Sequence, residues 1–329
     1  MKQQATTQAN STFEPYPVEI QAPDISAFAE GNCGVPYVYS FDSGVSGPHV
    51  MINALTHGNE FCGAIAVREL LLSNVRPRRG KLTLAFANHA AFSRFDAANP
   101  DASRFVDRDF NRVWTEALLD DLSQDCSELR RAREMRPVID KVDLLLDLHS
   151  MHERSAPLML SGPLEKGVTY ARQMALPGNI IVDAGHAEGR RLRDYSGFGD
   201  PASCKNALLV ECGQHWERNA ETVARQCAAR FLMLARTVNE NDIPRAWRAA
   251  PEPYPRVIRV TDAIVANSMD FRFASDYRGL ETFPDKGTVY AVRDGQPLAT
   301  PYPNCVMVMP SLRQLRPGVT VVRLGRLDS

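Results

Sequence analysis

The chain has 329 residues, 44% of them hydrophobic, enough to bury a large core, and one large domain plus a smaller one is the expected organisation. A formal net charge of −1 offers no electrostatic footprint for nucleic acid or an anionic membrane surface, and the arginines between 130 and 136 fit a solvated helix face. Seven cysteines, odd in number, scattered and never in a CxxC spacing, argue against a disulfide framework and against a structural zinc site.

The first twenty residues lack the apolar stretch of a secretory signal, and no later apolar run approaches the roughly 20 residues of a membrane helix. A soluble cytoplasmic protein is therefore expected. Residues 1 to about 15 are polar and fit a poorly ordered arm, with a first strand or turn near 16–20. Short apolar strands follow at 37–41, 50–55 and 82–88, with a helix at 61–73 between the last two. Parallel strands joined by a crossover helix predict an α/β sheet covered on both faces.

The turn between the strand at 50–55 and its helix reads THGNE, residues 56 to 60. In an open α/β sheet the carboxyl ends of the strands are where ligands bind. His57 closes the strand and Glu60 falls in the first turn of the expected helix, so the two side chains can converge. An imidazole and a carboxylate suit zinc. A lone HxxE is nevertheless a weak signal, and a helix-capping turn explains it equally well.

The stretch 88–114 is long and aperiodic, with the polar core SRFVDRDFNRVW at 103–114, and long ordered loops are usually functional. A charge-rich helix is expected over 116–139. It leads into VDLLLDLH, a buried strand that ends in His149. If that strand lies beside the one ending at His57, a His, Glu, His ligand set is complete, with the fourth position open as in catalytic zinc sites. His152 competes for the role, but it already lies in the loop.

Strands at 158–160 and 180–183, a helix at 165–175, the strand ALLVE ending in Glu211, and a helix at 217–238 come next. A carboxylate facing the same crevice as a metal can accept a proton from water and pass it to a leaving amine. The alternative for Glu211 is capping of the next helix. The proline-dense segment 243–255 breaks regular structure, and beyond it come only short β-type runs at 257–260, 289–292, 306–309 and 319–322. The expected division is a catalytic α/β domain over 1–247 and a small all-β domain over 248–329. Neither an internal repeat nor a low-complexity segment is evident.

Four ordered motifs, THGNE at 56–60, SRFVDRDFNR at 103–112, DLHS at 147–150 and VECG at 210–213, together resemble the succinylglutamate desuccinylase/aspartoacylase family, related to the zinc carboxypeptidases. The C-terminal part, including DGQPLATPY at 294–302, is also similar to that family's. The resemblance implies a zinc-carboxypeptidase-like mixed, mostly parallel sheet flanked by helices with a small C-terminal all-β domain, and one Zn2+ per chain. It implies His57, Glu60 and His149 as metal ligands and Glu211 as the catalytic glutamate. It further implies Arg104 as the arginine that polarises the substrate carbonyl, and Asn111 with Arg112 as the pair that holds the substrate's carboxylate or acyl end. An arginine fork matches a carboxylate; salt bridging of Arg104 and Arg112 to Asp107 and Asp109 is the competing reading.

The family's further substrate arginine and tyrosine do not match cleanly. The segment GRRLRDYSGFGD at 189–200 offers Arg190, Arg193 and Tyr195, of which Arg193 and Tyr195 are taken as substrate-binding residues, while Tyr302 or Tyr290 could approach from the β domain. Cys62 and Cys212 flank the expected site, most simply as small buried thiols. The expected activity is zinc-dependent removal of an acetyl- or succinyl-type group from a small N-acyl amino acid. The alternatives are a metallocarboxypeptidase and a non-catalytic α/β binding protein. No nucleic-acid or membrane partner is expected, and a homo-oligomer is the commoner quaternary state.

Overall fold

The computed structural model describes residues 16–186 and 188–328. The polar arm expected at 1–15 lies outside these residues, and 16–20 forms no strand. The N-terminal part contains β1 (Val38–Asp42), β2 (His49–Ala54), β3 (Lys81–Phe86), β4 (Leu144–Met151), β5 (Leu158–Leu160), β6 (Asn179–Val182) and β7 (Asn206–Gln214). Its helices are α1 (Cys62–Leu72), α2 (His89–Phe92), α3 (Glu116–Asp120), α4 (Ser127–Ile139), α5 (Glu165–Met174) and α6 (Arg218–Leu234). The single helix expected over 116–139 is thus two helices, and the short α2 was not foreseen. No helix among the described residues is long and apolar enough to cross a membrane.

Strands β3, β2, β4 and β7 run parallel to one another and form the centre of the sheet, with β1 antiparallel to β3 on the edge and β5 antiparallel to β7 on the other side. β2 and β7 are buried along their whole length, which is why they lack polar alternation. Their side chains still alternate in direction. Val50, Ile52, Leu146 and Leu148 enter a core formed with α1 and α6, whereas Met51 and Leu145 enter a second core against α4. Helices on both faces leave only the strand ends accessible, and this directs any ligand to the carboxyl edge.

The C-terminal part holds β8 (Arg256–Val265), β9 (Phe271–Phe273), β10 (Thr282–Phe283), β11 (Val289–Arg293), β12 (Gln296–Ala299), β13 (Cys305–Val308) and β14 (Thr320–Leu327). It carries its own hydrophobic cluster, centred on Tyr290, Tyr302 and Met307, and a separate three-stranded sheet β12-β11-β9. It is also fused to the main sheet. β8 pairs parallel with β6, and β14, β13 and β10 continue outward, so eleven strands form one sheet across the expected boundary at 247/248. That continuity brings β14 and the loop before it to the edge of the crevice.

Candidate active site and metal centre

The register of the sheet assembles the site. Ala54 of β2 pairs with Leu148 of β4, and His149 pairs with Glu211 of β7, so the carboxyl ends of three adjacent strands meet. The pairing slips just beyond His149, between it and Met151, and such irregularities re-aim side chains near active sites. Both strands continue past the residues at which the sequence suggested they end. After β2 the chain turns at Leu55, with a left-handed φ of 60°, and carries His57 and Glu60 across the strand end. Glu60 lies in this turn, ahead of α1, rather than in the helix's first turn.

Two hydrogen bonds hold the turn. Gly58 N–H donates to Arg104 O at 3.0 Å, and Trp216 Nε1 donates to Asn59 O at 3.1 Å. A Cβ on Gly58 would lie 2.3 Å from Ser103 O and 2.5 Å from the Ala91 carbonyl carbon, so only glycine permits this approach.

His57, Glu60 and His149 are all buried, and one ligand atom from each lies within 4.8 Å of the other two. His57 Nδ1 is 2.8 Å from Glu60 Oε1, and His149 Nδ1 is 2.9 Å from Glu60 Oε2. The opposite ring nitrogens each face a carboxylate: His57 Nε2 meets Asp109 Oδ1 at 3.0 Å and His149 Nε2 meets Asp147 Oδ2 at 2.9 Å. Asp147 is fixed in turn by Asn53 Nδ2 at 2.8 Å and Thr56 Oγ1 at 2.9 Å. A carboxylate behind each imidazole is the outer shell that orients metal-binding histidines. Two imidazoles and one carboxylate, with both rings held from behind, fit zinc.

The charges are tightly balanced. Burial works against a charged His149, yet the Asp147 and Glu60 carboxylates prevail and raise its pKa well above the ordinary histidine value. Burial would likewise raise Glu60, but His57 and His149 hold it well below the carboxylate range. Glu211 differs. Burial, reinforced by the negative charge of Glu60, pushes its carboxyl up to about 8. Its Oε2 is buried without a hydrogen-bond partner, so the group is available to a proton on a ligand.

Arg104 Nη1 donates to Glu60 Oε1 at 2.8 Å, and its Nη2 lies 3.1 Å from His57 Nε2 and 3.6 Å from Asp109 Oδ2. The anticipated bridge to Asp109 is therefore present, while Asp107 instead accepts from Ser127 N at 2.8 Å. Asn111 Oδ1 accepts from Leu192 N at 2.9 Å. Arg112 donates through Nη1 to the Asn111 carbonyl, and its buried Nε has no hydrogen-bond partner. The loop carrying these residues is organised by Glu128, fully buried on α4, which accepts N–H bonds from Val106 at 2.7 Å, Arg108 at 3.0 Å and Asp107 at 3.1 Å, plus one from Asn88 Nδ2 at 3.1 Å.

A cavity of about 690 Å³ opens over this group, and His57, Glu60, Arg104, Asn111, Arg112, His149 and Glu211 all line it. Arg193 and Tyr195 do not. Arg193 Nη2 donates to the Ser161 and Ala207 carbonyls at 2.8 and 3.0 Å, stitching strands together. The Tyr195 hydroxyl donates to Asp140 Oδ1 at 2.9 Å, and its ring packs on Trp114 in the core under α4. Both side chains turn away from the crevice because the 3-10 turn at Leu192–Asp194 directs them into the protein. Arg191 from the same segment does reach the cavity, paired with Asp183 at 2.8 Å. Tyr290 and Tyr302 are core residues of the C-terminal part, which contributes Arg323 and the 308–316 segment to the cavity wall.

Cys62 Sγ lies 3.7 Å from the His149 carbonyl oxygen as a buried donor, and burial raises the Cys212 thiol well above its ordinary value. Asp147, Asp109 and Glu128 were not foreseen as site residues. Asp147 was accessible from sequence in one respect: residues two apart on a strand share a face, so the Asp of DLH must lie beside His149.

The model of the succinylglutamate desuccinylase/aspartoacylase catalytic domain matches residues 46–236. A sequence search among curated proteins finds no match. Among solved structures, succinylglutamate desuccinylase from Vibrio parahaemolyticus superposes with a TM-score of 0.62 at 16% identity over 89% of this chain and 87% of that one. An aspartoacylase family protein from Mesorhizobium loti gives 0.60 at 17% identity over 92% and 93%, and murine aminoacylase 3 gives 0.60 at 17% over 86% and 96%. At such identities these likenesses speak for the fold. The family model covers more than half of the chain and includes His57, Glu60, His149 and Glu211, and the chain therefore belongs to the succinylglutamate desuccinylase/aspartoacylase family.

Proposed function

We propose that this protein is a zinc-dependent amide hydrolase that removes an acetyl- or succinyl-type acyl group from an N-acyl amino acid or a similar small molecule. The observation that carries the reading is the convergence, on one cavity wall, of the His57, Glu60 and His149 donors with an unpaired Glu211 oxygen. Bound by these three residues, zinc would polarise the scissile carbonyl and lower the pKa of a water from 15.7 toward roughly 7.

The remaining work belongs to the chain's own groups. Glu211, with a carboxyl pKa pushed up by burial, is suited to accept a proton from the attacking water and return it to the departing amine nitrogen. The Arg104 guanidinium, beside Glu60 at the cavity wall, is suited to stabilise negative charge that develops on the carbonyl oxygen. Arg112, on a loop held by Glu128 and Asn111, offers a fork to a substrate carboxylate. A cavity of about 690 Å³ suits a small ligand. The reading is supported by the family and by the names of its structural relatives, which are desuccinylases and an aminoacylase.

Amine release from N-acetyl, N-succinyl and N-formyl amino acids by the zinc-loaded protein tests this, with short peptides alongside. Release from at least one N-acyl amino acid is expected. Release from peptides alone would reassign the protein to the carboxypeptidases.

A further inference from the structure

Beside this centre lies a second group of ligand-type side chains that hydrolysis does not use. Asp101 from the short turn Pro100–Ser103, His152 just after β4 and His215 just after β7 each offer one atom within 4.8 Å of the other two. His152 Nδ1 is 3.2 Å from His215 Nε2 and 3.6 Å from Asp101 Oδ1. A tetrahedral ion with bonds of about 2.0–2.2 Å separates its donors by roughly 3.3–3.6 Å, so both spacings are close to edges of that polyhedron.

We propose that Asp101, His152 and His215 form a second site for a divalent transition metal, zinc by preference. Two imidazoles with one carboxylate are the donors such an ion takes. The rings are prepared for it. His215 Nδ1 meets Ser150 Oγ at 2.8 Å, and that bond fixes the ring with Nε2 turned toward His152. One ring hydrogen on His152 Nδ1 or His215 Nε2 satisfies only one contact of the three groups. Asp101 Oδ1 then faces a nitrogen at 3.6 Å, a long contact, and among the described residues accepts a further long 3.4 Å bond from Asn59 Nδ2. A cation between them serves all three at once. With three protein donors the ion keeps an open position, and His152 already lines the cavity.

The second site borders the first without sharing a ligand. Ser150 donates its N–H to Glu60 Oε2 at 3.1 Å while its hydroxyl holds His215, and Asn59, next to Glu60, touches Asp101. His152 therefore belongs to this second group and not to the set containing His149.

Metal content separates the two sites. Full-length protein stripped with a chelator, dialysed against buffered zinc and analysed by atomic emission should hold about two equivalents per chain, and Asp101→Ala, His152→Ala and His149→Ala should each hold about one. Asp101 is exposed, so its variant has little reason to misfold, and thermal melting of each variant verifies the fold. Wild-type protein with about one equivalent, kept in Asp101→Ala and lost in His149→Ala, would overturn the second site and leave the first intact. A single equivalent that survives His149→Ala and disappears in His152→Ala would keep the second site and remove the first.

Discussion

His149 and Glu211 are cross-strand neighbours, paired in register on the parallel strands β4 and β7. The imidazole of His149 and the carboxyl of Glu211 are thus carried by two central strands of a sheet covered on both faces. Only the third contribution, the turn with His57 and Glu60, depends on a loop, and Gly58 and Trp216 secure that loop against its neighbours. Sites on strands hold tighter geometry than sites on loops.

Zinc uptake should release protons. The carboxylates of Asp147 and Glu60 outweigh burial and favour the protonated imidazole of His149 in the metal-free protein. A metal ligand must be the neutral imidazole, so zinc competes with the His149 proton and binds more tightly as pH rises. Calorimetric titration in buffers of different ionisation enthalpy measures the exchange. Uptake without proton release would contradict this charge arrangement.

Glu128 should act as a positioning residue without touching substrate. Its carboxyl collects three consecutive backbone N–H groups of the loop that bears Arg104 and Arg112. In Glu128→Gln an amide NH2 replaces one acceptor and opposes those donors, at a cost of roughly 1–3 kcal/mol. The expected outcome is a lower melting temperature and a lower kcat/KM with zinc content unchanged. An unchanged kcat/KM would show that the loop holds its shape through other contacts.

Arg112 and Tyr195 should separate substrate binding from packing. Arg112→Ala removes a cavity-lining cation and should raise KM roughly 10- to 100-fold, the equivalent of a charge-assisted hydrogen bond of about 1.5–3 kcal/mol. Tyr195→Phe removes a hydroxyl that bonds Asp140 and Arg136 away from the cavity, and should cost about 1 kcal/mol of stability and leave KM alone. Steady-state kinetics with urea unfolding reads both. A raised KM in Tyr195→Phe would place the substrate on the other side of that turn.

Much of this site was legible in the sequence because its key residues close apolar runs. Apolar runs leading to His57, His149 and Glu211 are visible without tertiary information, since burial on both faces makes a central parallel strand uniformly apolar, although β2 stops at Ala54 and β4 and β7 run on past His149 and Glu211. Side-chain direction in irregular segments was not visible. Arg191 and Arg193 are two residues apart on a 3-10 turn, and only the folded turn decides that the first reaches the cavity while the second binds carbonyls. Glu128 was hidden in a charge-rich helix, where its burial follows from a loop more than fifteen residues upstream. The β-type texture after residue 256 correctly suggested strands, but the pairing of β8 with β6, which extends one sheet into the C-terminal part, is a long-range contact without a local signature.

The most direct test of the central claim is the turnover of zinc-loaded Glu211→Gln, with its zinc content measured on the same sample. Glu211 lines the same cavity as the three ligand residues, and its Oε2 is buried without a hydrogen-bond partner. The account predicts full zinc occupancy with amine release reduced roughly 10²- to 10⁴-fold, the usual worth of a positioned proton-transfer group. Near-normal amine release from a zinc-loaded Glu211→Gln protein would contradict it.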